Sequence, residues 1–583
     1  MKKKGFFLTA VLLLAVLLFF WKEKDLFQKK GQQSATGTPT PEIAMPETLR
    51  NVWILSSTEE SITYFYEGKQ TTLPTKGKVQ DRLPACVGDL TVQGNEILSL
   101  VLKPDKITAK VLRVDEKEME LEGYGVLPLT EGFKVYRLYD GVAEEPSGKI
   151  LVGSADTEFV LEGGKLCASL LRKKPELKKI RVLIGTTGYQ GYYHDAIEIT
   201  ADCGFTVTSG EKKEVCEPGE RYLLTRESFG TDSGRRVIVP DKADGKLTVC
   251  NLKRSSGTPS YRGTLEVECR GEGLLLVNEV TMEEYLYAVL PSEMPSSFGK
   301  EALKAQAICA RSYAYTELMA NRYAAYGAHV DDSVASQVYN NTGETEAAVL
   351  AVKETHGQVL FYEDTVAQCY YYSTSAGHTA SAEDVWENAK EIPYLSGKPT
   401  AYDGESPWYR WQTFLSLKEL ETGINQALKT RYSVVPEQIL TYDASSGEFV
   451  SKPITETGTI KSIQIGERGK GGIATRLRIE GSKGVFLVKN EYNIRSMLAP
   501  LGKEIYRENG ECVTGTSLLP SAFVVLQKGV YDGETGYLLT GGGYGHGVGM
   551  SQCGADAMAS AGYSCEDIIK EYYPGTELGF IYH

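Results

Sequence analysis

The sequence predicts an α+β chain that is mostly β, with a helical active-site subdomain. An N-terminal β-barrel or sandwich domain and a single transmembrane helix precede it. Three observations predict this: an apolar run at the start, short alternating runs over most of the length, and two long helical patterns near the middle. The 583 residues leave room for roughly three or four domains. A composition of 42% hydrophobic and 24% charged residues excludes a mostly disordered chain. The net charge of -13, from 63 Lys and Arg against 76 Asp and Glu, disfavours nucleic acid as a partner. The 35 tyrosines suit surfaces that meet sugars or other polymers.

Three lysines precede an apolar run over residues 5–21. Seventeen helical residues reach about 25 Å, the lower edge of a bilayer span. The lysines place the amino end inside, and FFWK offers no small residues for signal-peptide cleavage. An uncleaved anchor over residues 1–25 is therefore expected, with the cell membrane as the location and the bulk of the chain outside the cytoplasm. The 11 cysteines are odd in number, lack any C-x-x-C pair and do not read as a disulfide or finger framework.

Residues 26–48 read as a linker, rich in Pro, Gly and Thr. Residues 49–175 read as a β-rich accessory domain of short antiparallel strands, ended by the charged joint RKKPELKK. Residues 176–583 form the remaining domain. Its β region runs to about Val280, where Thr281 and Glu284 make a capping box for a helix that ends at Pro291. A second helix is expected from about Lys300 to Tyr326. The stretch 400–455 is polar and hard to read. A Gly-rich loop at 541–549, a helix over about 550–561 and a last short helix from Ser564 close the chain.

Four constellations are candidates for chemistry. In LPSEMP, two prolines bracket Glu293 at the joint of two helices. Burial there raises a carboxyl pKa towards the range of a general acid, although a simple capping Glu fits the same position. On the second helix Lys304, Ile308, Arg311 and Tyr315 fall on one stripe. The two cations either clamp an anionic substrate or form a solvated face. Close to Glu293 they would lower its pKa, so a clamp belongs a few ångströms away. The run YYYSTSAGHT, with Tyr371, Ser373 and Ser375, sets aromatic rings beside hydroxyls, as a sugar site needs or as a strand entering a tight turn also shows. Last, GGGYGHGVGMSQ surrounds His546 with glycines and lacks the Lys and Ser/Thr of a phosphate loop. His546 is either bonded to that loop or part of the site.

Taken together, VTMEEYLYAVLPSEMPSSFGKEALKAQAICARSYAY, SQVY, STSAGHT and GYGHGVGMSQCGADAMASAGYSCEDIIKEYYPGTEL closely resemble the stage II sporulation protein D family, which includes the amidase enhancers. The match runs in one order over residues of roughly 180–583. The resemblance implies a peptidoglycan lytic transglycosylase that cuts between N-acetylmuramic acid and N-acetylglucosamine and leaves a 1,6-anhydro end, on strands stripped of stem peptides. It implies Glu293 as the catalytic residue. It also implies substrate-binding roles for Lys304, Gln306, Arg311, Gln337, Tyr371, Ser373, Ser375, His546 and Gln552. Ala288, Ala376 and Cys553 depart from the family pattern without touching Glu293. Some relatives hold zinc near the S-T-S turn, but Cys369, His356 and His378 lack ligand spacing, so no metal and no cofactor are expected. The implied partners are glycan strands, a cell-wall amidase and other sporulation membrane proteins. The alternative is a non-catalytic, wall-binding enhancer of an amidase.

Overall fold

The computed structural model describes residues 45–582 apart from 177, 231–233, 272, 387–388, 455 and 532. Among the described residues no helix is long and apolar enough to cross a membrane. This corrects two expectations: the transmembrane helix in the fold class, and the single-pass membrane localisation that followed from it. The apolar run at 5–21 on which both rest lies outside the described residues. What is described is a β-rich α+β chain.

The chain divides into two compact units, Met1–Tyr64 with Thr71–Val101, and Phe65–Gln70 with Leu102–His583. In the first, Glu47–Ser57 pairs antiparallel with Cys86–Gln93, Trp53 facing Val87. A bulge falls between Leu49 and Val52, where Asn51 takes a left-handed φ of 56° and donates its N–H to Asp89 at 2.8 Å. Asn tolerates that conformation better than the β-branched residues around it.

The second unit opens with a sheet over residues 106–171. Its strand Lys165–Leu171 runs parallel to Gly125–Arg137, which departs from the all-antiparallel reading. The intervening chain exceeds the dozen or so residues that a parallel crossover needs. A seven-stranded sheet follows, in the order Lys212–Cys216, Phe205–Ser209, Arg235–Pro240, Thr264–Arg270, Gly273–Thr281, Lys179–Leu183 and Val330–Asp331. Gly273–Thr281 is buried along all but its last residue, in keeping with its apolar run from Leu274 to Val277. Arg181, fully buried, forks onto Glu266 and also meets Glu279, and Lys110 reaches Glu279 at 2.6 Å. These cations hold the Glu279 carboxyl down, at a pKa of about 2.

Among the described residues the α-helices are Met282–Glu293 (α1), Lys300–Ala320 (α2), Glu346–Glu354 (α3), Ala382–Val385 (α4), Leu417–Val434 (α5), Glu491–Met497 (α6), Gln552–Ser560 (α7) and Cys565–Tyr572 (α8). Thr281 caps α1 as expected: its hydroxyl accepts the Glu284 N–H at 3.3 Å and donates to the Glu284 carboxylate at 2.8 Å. α2 stops at Ala320, short of the expected Tyr326. Asn321 turns left-handed there, and its amide donates to the Ile150 carbonyl at 2.9 Å. α5 lies in the stretch that had no readable pattern. Its cap is Ser416 with Glu419, and it buries Leu420, Ile424 and Leu428.

Candidate active site

Glu293 is the last residue of α1. The helix does not end at Pro291 but runs two residues past it. Proline removes one N–H and crowds the preceding turn. Beyond the proline the last turn stays bonded: Ser292 donates its hydroxyl to the Ala288 carbonyl at 2.7 Å, and Met294 donates its N–H to Leu290 at 2.9 Å. Met294 then turns to an extended conformation with its side chain 1% exposed, which anchors the bend. The Glu293 carboxyl thus points back against the protein. Oε1 accepts the Val338 backbone N–H at 2.7 Å. Burial pushes its pKa up to about 7, and the Val338 donor works in the opposite direction. A carboxyl at that value serves as acid and as base near neutral pH.

A chain of buried amides and phenols surrounds it. Tyr285, two turns before Glu293 on α1, donates to Gln337 Oε1 at 3.1 Å. Gln337 Nε2 donates to the Tyr371 hydroxyl at 3.0 Å and to the Ala310 carbonyl at 3.3 Å. Burial raises both phenols far above their usual range, and the Glu293 charge adds to it, so both rings lie near the carboxyl. From the other side Gln552 Nε2 donates to the Glu293 carbonyl at 3.0 Å and to Gln306 Oε1 at 3.5 Å. Glu293, Gln306, Gln337, Tyr371 and Gln552 are therefore brought together, as the family motifs imply. Tyr285 was not among the sequence candidates, although its spacing of eight from Glu293 along one helix face is a signal for it.

The Gly-rich loop does its work by close approach. Tyr371–Tyr372 pairs parallel with Met550–Ser551, and Thr374 and Ala380 bridge to Tyr544 and Val548. At Gly549, with φ of 78°, any Cβ would run into the Tyr370 carbonyl oxygen. His546 Nδ1 accepts the Val548 N–H at 3.1 Å, so Nε2 carries the hydrogen. The ring packs against Tyr372 and Trp386, at 5.7 and 5.4 Å between centroids. Burial, then the Arg495 charge, lower its pKa to about 4. The imidazole is neutral at neutral pH and bonded into its own loop and to the Tyr371 backbone, which is the first of the two readings open in the sequence.

Ser373 and Ser375 lie in the same turn. The Ser373 carbonyl accepts the Cys553 N–H at 2.9 Å, and Ser375 Oγ accepts the Gly377 N–H at 3.1 Å. Asp403, for which the sequence carries no signal, ties the turn to α7. Its Oδ1 accepts the Ser375 N–H at 2.8 Å and the Ser551 hydroxyl, and Ser551 caps α7. Burial raises the Asp403 pKa to about 6.

The anion clamp read from the helix stripe is corrected. Arg311 is 0% exposed and forks onto Glu283 at 2.9 and 2.7 Å, with a third bond to the Gln358 carbonyl at 2.9 Å. A guanidinium so enclosed pins α1 to α2 and does not face a ligand. Lys304, half-buried, is engaged by Glu301 of its own helix at 3.2 Å. With both cations paired elsewhere, Glu293 keeps its raised pKa. Cys309, Cys369, Cys553 and Cys565, near the site, are free thiols. Among the described residues no group of three or more His, Cys, Asp or Glu is arranged to hold a metal. His378 Nδ1 is bonded to the Thr379 carbonyl at 2.6 Å, and His356 lies against Tyr582.

Comparison with known proteins adds identity. The stage II sporulation protein family matches residues 270–362, and a domain of unknown function matches residues 436–549. The chain is 31% identical over 307 residues to the amidase enhancer of Bacillus subtilis (strain 168), covering 50% of this chain and 40% of that one. It is 29% identical over 316 residues to stage II sporulation protein D of the same organism, covering 52% and 75%. It is 30% identical over 317 residues to stage II sporulation protein D of Bacillus amyloliquefaciens, covering 52% and 75%. This chain belongs to the stage II sporulation protein D family.

Proposed function

We propose that the chain is a lytic transglycosylase of cell-wall glycan, acting between N-acetylmuramic acid and N-acetylglucosamine in sporulation or wall remodelling. The observation that supports this best is the Glu293 carboxyl, set against the Val338 N–H at 2.7 Å, with its pKa pushed up to about 7 by burial and, among the described residues, no cation acting on it. Protonated Glu293 donates to the glycosidic oxygen as the C1–O bond opens. The muramyl 6-hydroxyl closes onto C1, and its proton passes to the Glu293 carboxylate. The enzyme returns to its starting state and the product carries a 1,6-anhydro end. No second carboxylate and no water nucleophile are needed, in contrast to the paired acids of hydrolytic glycosidases. Gln337, Gln306 and Gln552, all buried, position the acid, and the half-buried Tyr371 joins them through Gln337 and is the one of the four with surface to offer a sugar group. Ser373, Ser375 and His546 hold the turn that carries Tyr371. The test is to incubate the protein with glycan strands stripped of stem peptides and look for anhydro ends by mass spectrometry. Wild type produces them and Glu293→Gln does not; equal yields from both would refute the role of Glu293.

The likeness to an amidase enhancer supports a second reading, a wall-binding module that stimulates a partner amidase. It is favoured if the protein releases stem peptides faster in the presence of an amidase and generates no glycan ends of its own.

A further inference from the structure

The loop TTGYQGYY, between Lys179–Leu183 and Ala196–Ala201, holds an aromatic residue in a conformation that aromatics rarely adopt. Gly188 and Tyr189 take successive left-handed φ angles of 72° and 56°. For glycine this is free, whereas for tyrosine it is strained. Such strain persists only where the surroundings fix it, and it concentrates at ligand sites. Here the surroundings are specific. The Arg254 guanidinium lies under the Tyr189 ring, 4.6 Å from its centroid. Arg254 is itself fully buried, paired with Asp332 and bonded to the Gly185 carbonyl at 2.7 Å. One face of the ring is thereby occupied, yet Tyr189 remains 42% exposed.

The ring is also linked to the end of the helix that carries the acid. The Tyr189 hydroxyl donates to Asn340 Oδ1 at 3.4 Å, and the Asn340 N–H donates to Ser292 Oγ, next to Glu293, at 3.3 Å. Asn340 is two residues from Val338, the donor to Glu293, a span of at most about 7 Å.

We infer that Tyr189 is a stacking platform for a sugar ring of the strand bound at Glu293, with Arg254 fixing it from below; this rests on the glycan reading of the site. An apolar ring face presented at a fixed angle suits the apolar face of a pyranose. The loop sets the angle, and Asn340 ties the platform to the helix that carries the acid. Tyr189 is thus a specificity and binding residue rather than a participant in proton transfer.

The test uses the full chain with Glu293→Gln, so that binding is measured without turnover, and amidase-stripped glycan strands as the probe. Tyr189→Gly removes the ring while relieving the backbone, so its melting temperature does not fall. Its affinity for the strands is expected to drop about tenfold, whereas Tyr189→Trp stays within about twofold of the parent. In the Glu293-intact protein, Tyr189→Gly raises KM about tenfold and moves kcat far less. A Tyr189→Gly variant that binds strands as well as its parent overturns the platform. A parent that binds strands while the Glu293-intact protein yields no anhydro ends overturns the transglycosylase reading and leaves the platform standing. A parent that does not bind strands overturns both.

Discussion

The backbone nitrogen of Val338 sits 2.7 Å from Oε1 of Glu293 and donates its N–H to that carboxyl. One donor steadies the carboxylate without undoing the effect of burial, and the pKa settles at about 7. The donor comes from SQVY and the acid from LPSEMP, motifs 45 residues apart in the chain. Their meeting is what turns a helix-end glutamate into a candidate acid.

A pH dependence follows. The first step needs Glu293 protonated, so kcat is expected to fall as pH rises through about 7. The same shift has a cost in stability. The folded pKa lies above the unfolded value of about 4.3, so the fold carries no penalty below pH 4, acquires it progressively as pH climbs from about 4.3 to 7, and bears it in full above 7. Glu293→Gln removes that penalty and still accepts from Val338. It is expected to be more stable than wild type by about 1–3 kcal/mol at pH 8 and equal to it at pH 4. Urea unfolding at the two pH values checks this, and an equal stability at pH 8 contradicts the buried-acid account.

The Arg311–Glu283 pair makes a prediction opposite to that of a substrate clamp. Arg311→Met leaves Glu283 buried beside the Tyr582 hydroxyl and the Gly357 N–H without its cation. The expected loss is about 3–5 kcal/mol of stability. Adding Glu283→Gln to Arg311→Met is expected to restore more than half of it, since a neutral amide is far cheaper to bury. Denaturant titration of the three variants decides; an Arg311→Met protein of unchanged stability with weakened glycan binding would restore the clamp.

Two glycines separate backbone freedom from close approach. Gly549 and Gly562 have φ of 78° and 88°, but only at Gly549 does an added Cβ meet anything, the Tyr370 carbonyl and the Tyr573 ring. Gly562→Ala is expected to cost about 1–2 kcal/mol from the left-handed conformation alone. Gly549→Ala is expected to cost about 3 kcal/mol or more, because the parallel pairing of Tyr371 with Met550 must open. Melting curves of the two single variants test the difference.

The sequence made some of this visible and hid the rest for physical reasons. Local signals carried well. Thr281 and Glu284 announced the start of α1, Ser564 the start of α8, and the glycines around His546 the close backbone approach. Pro291 misled because the helix keeps its bonds past it, with the Ser292 hydroxyl on the Ala288 carbonyl and the Met294 N–H on the Leu290 carbonyl. α5 was overlooked although Ser416 and Glu419 form the same S-x-x-E box, because Leu420, Ile424 and Leu428 make a thin apolar stripe amid polar residues. Arg311 was misjudged for a different reason. Its partner Glu283 lies 28 residues away, and the Tyr582 that joins them 299 residues from Glu283. No spacing rule reaches that far. Asp403 is the extreme case, since only the folded chain shows that Ser375 and Ser551 converge on it.

The most direct test of the central claim is digestion of stripped glycan strands in water enriched in heavy oxygen, with mass analysis of the new ends. If the 6-hydroxyl closes the ring under control of Glu293, the muramyl ends are anhydro and unlabelled. Ends that carry one heavy oxygen would mean that water is the nucleophile and that the single-carboxyl mechanism is wrong.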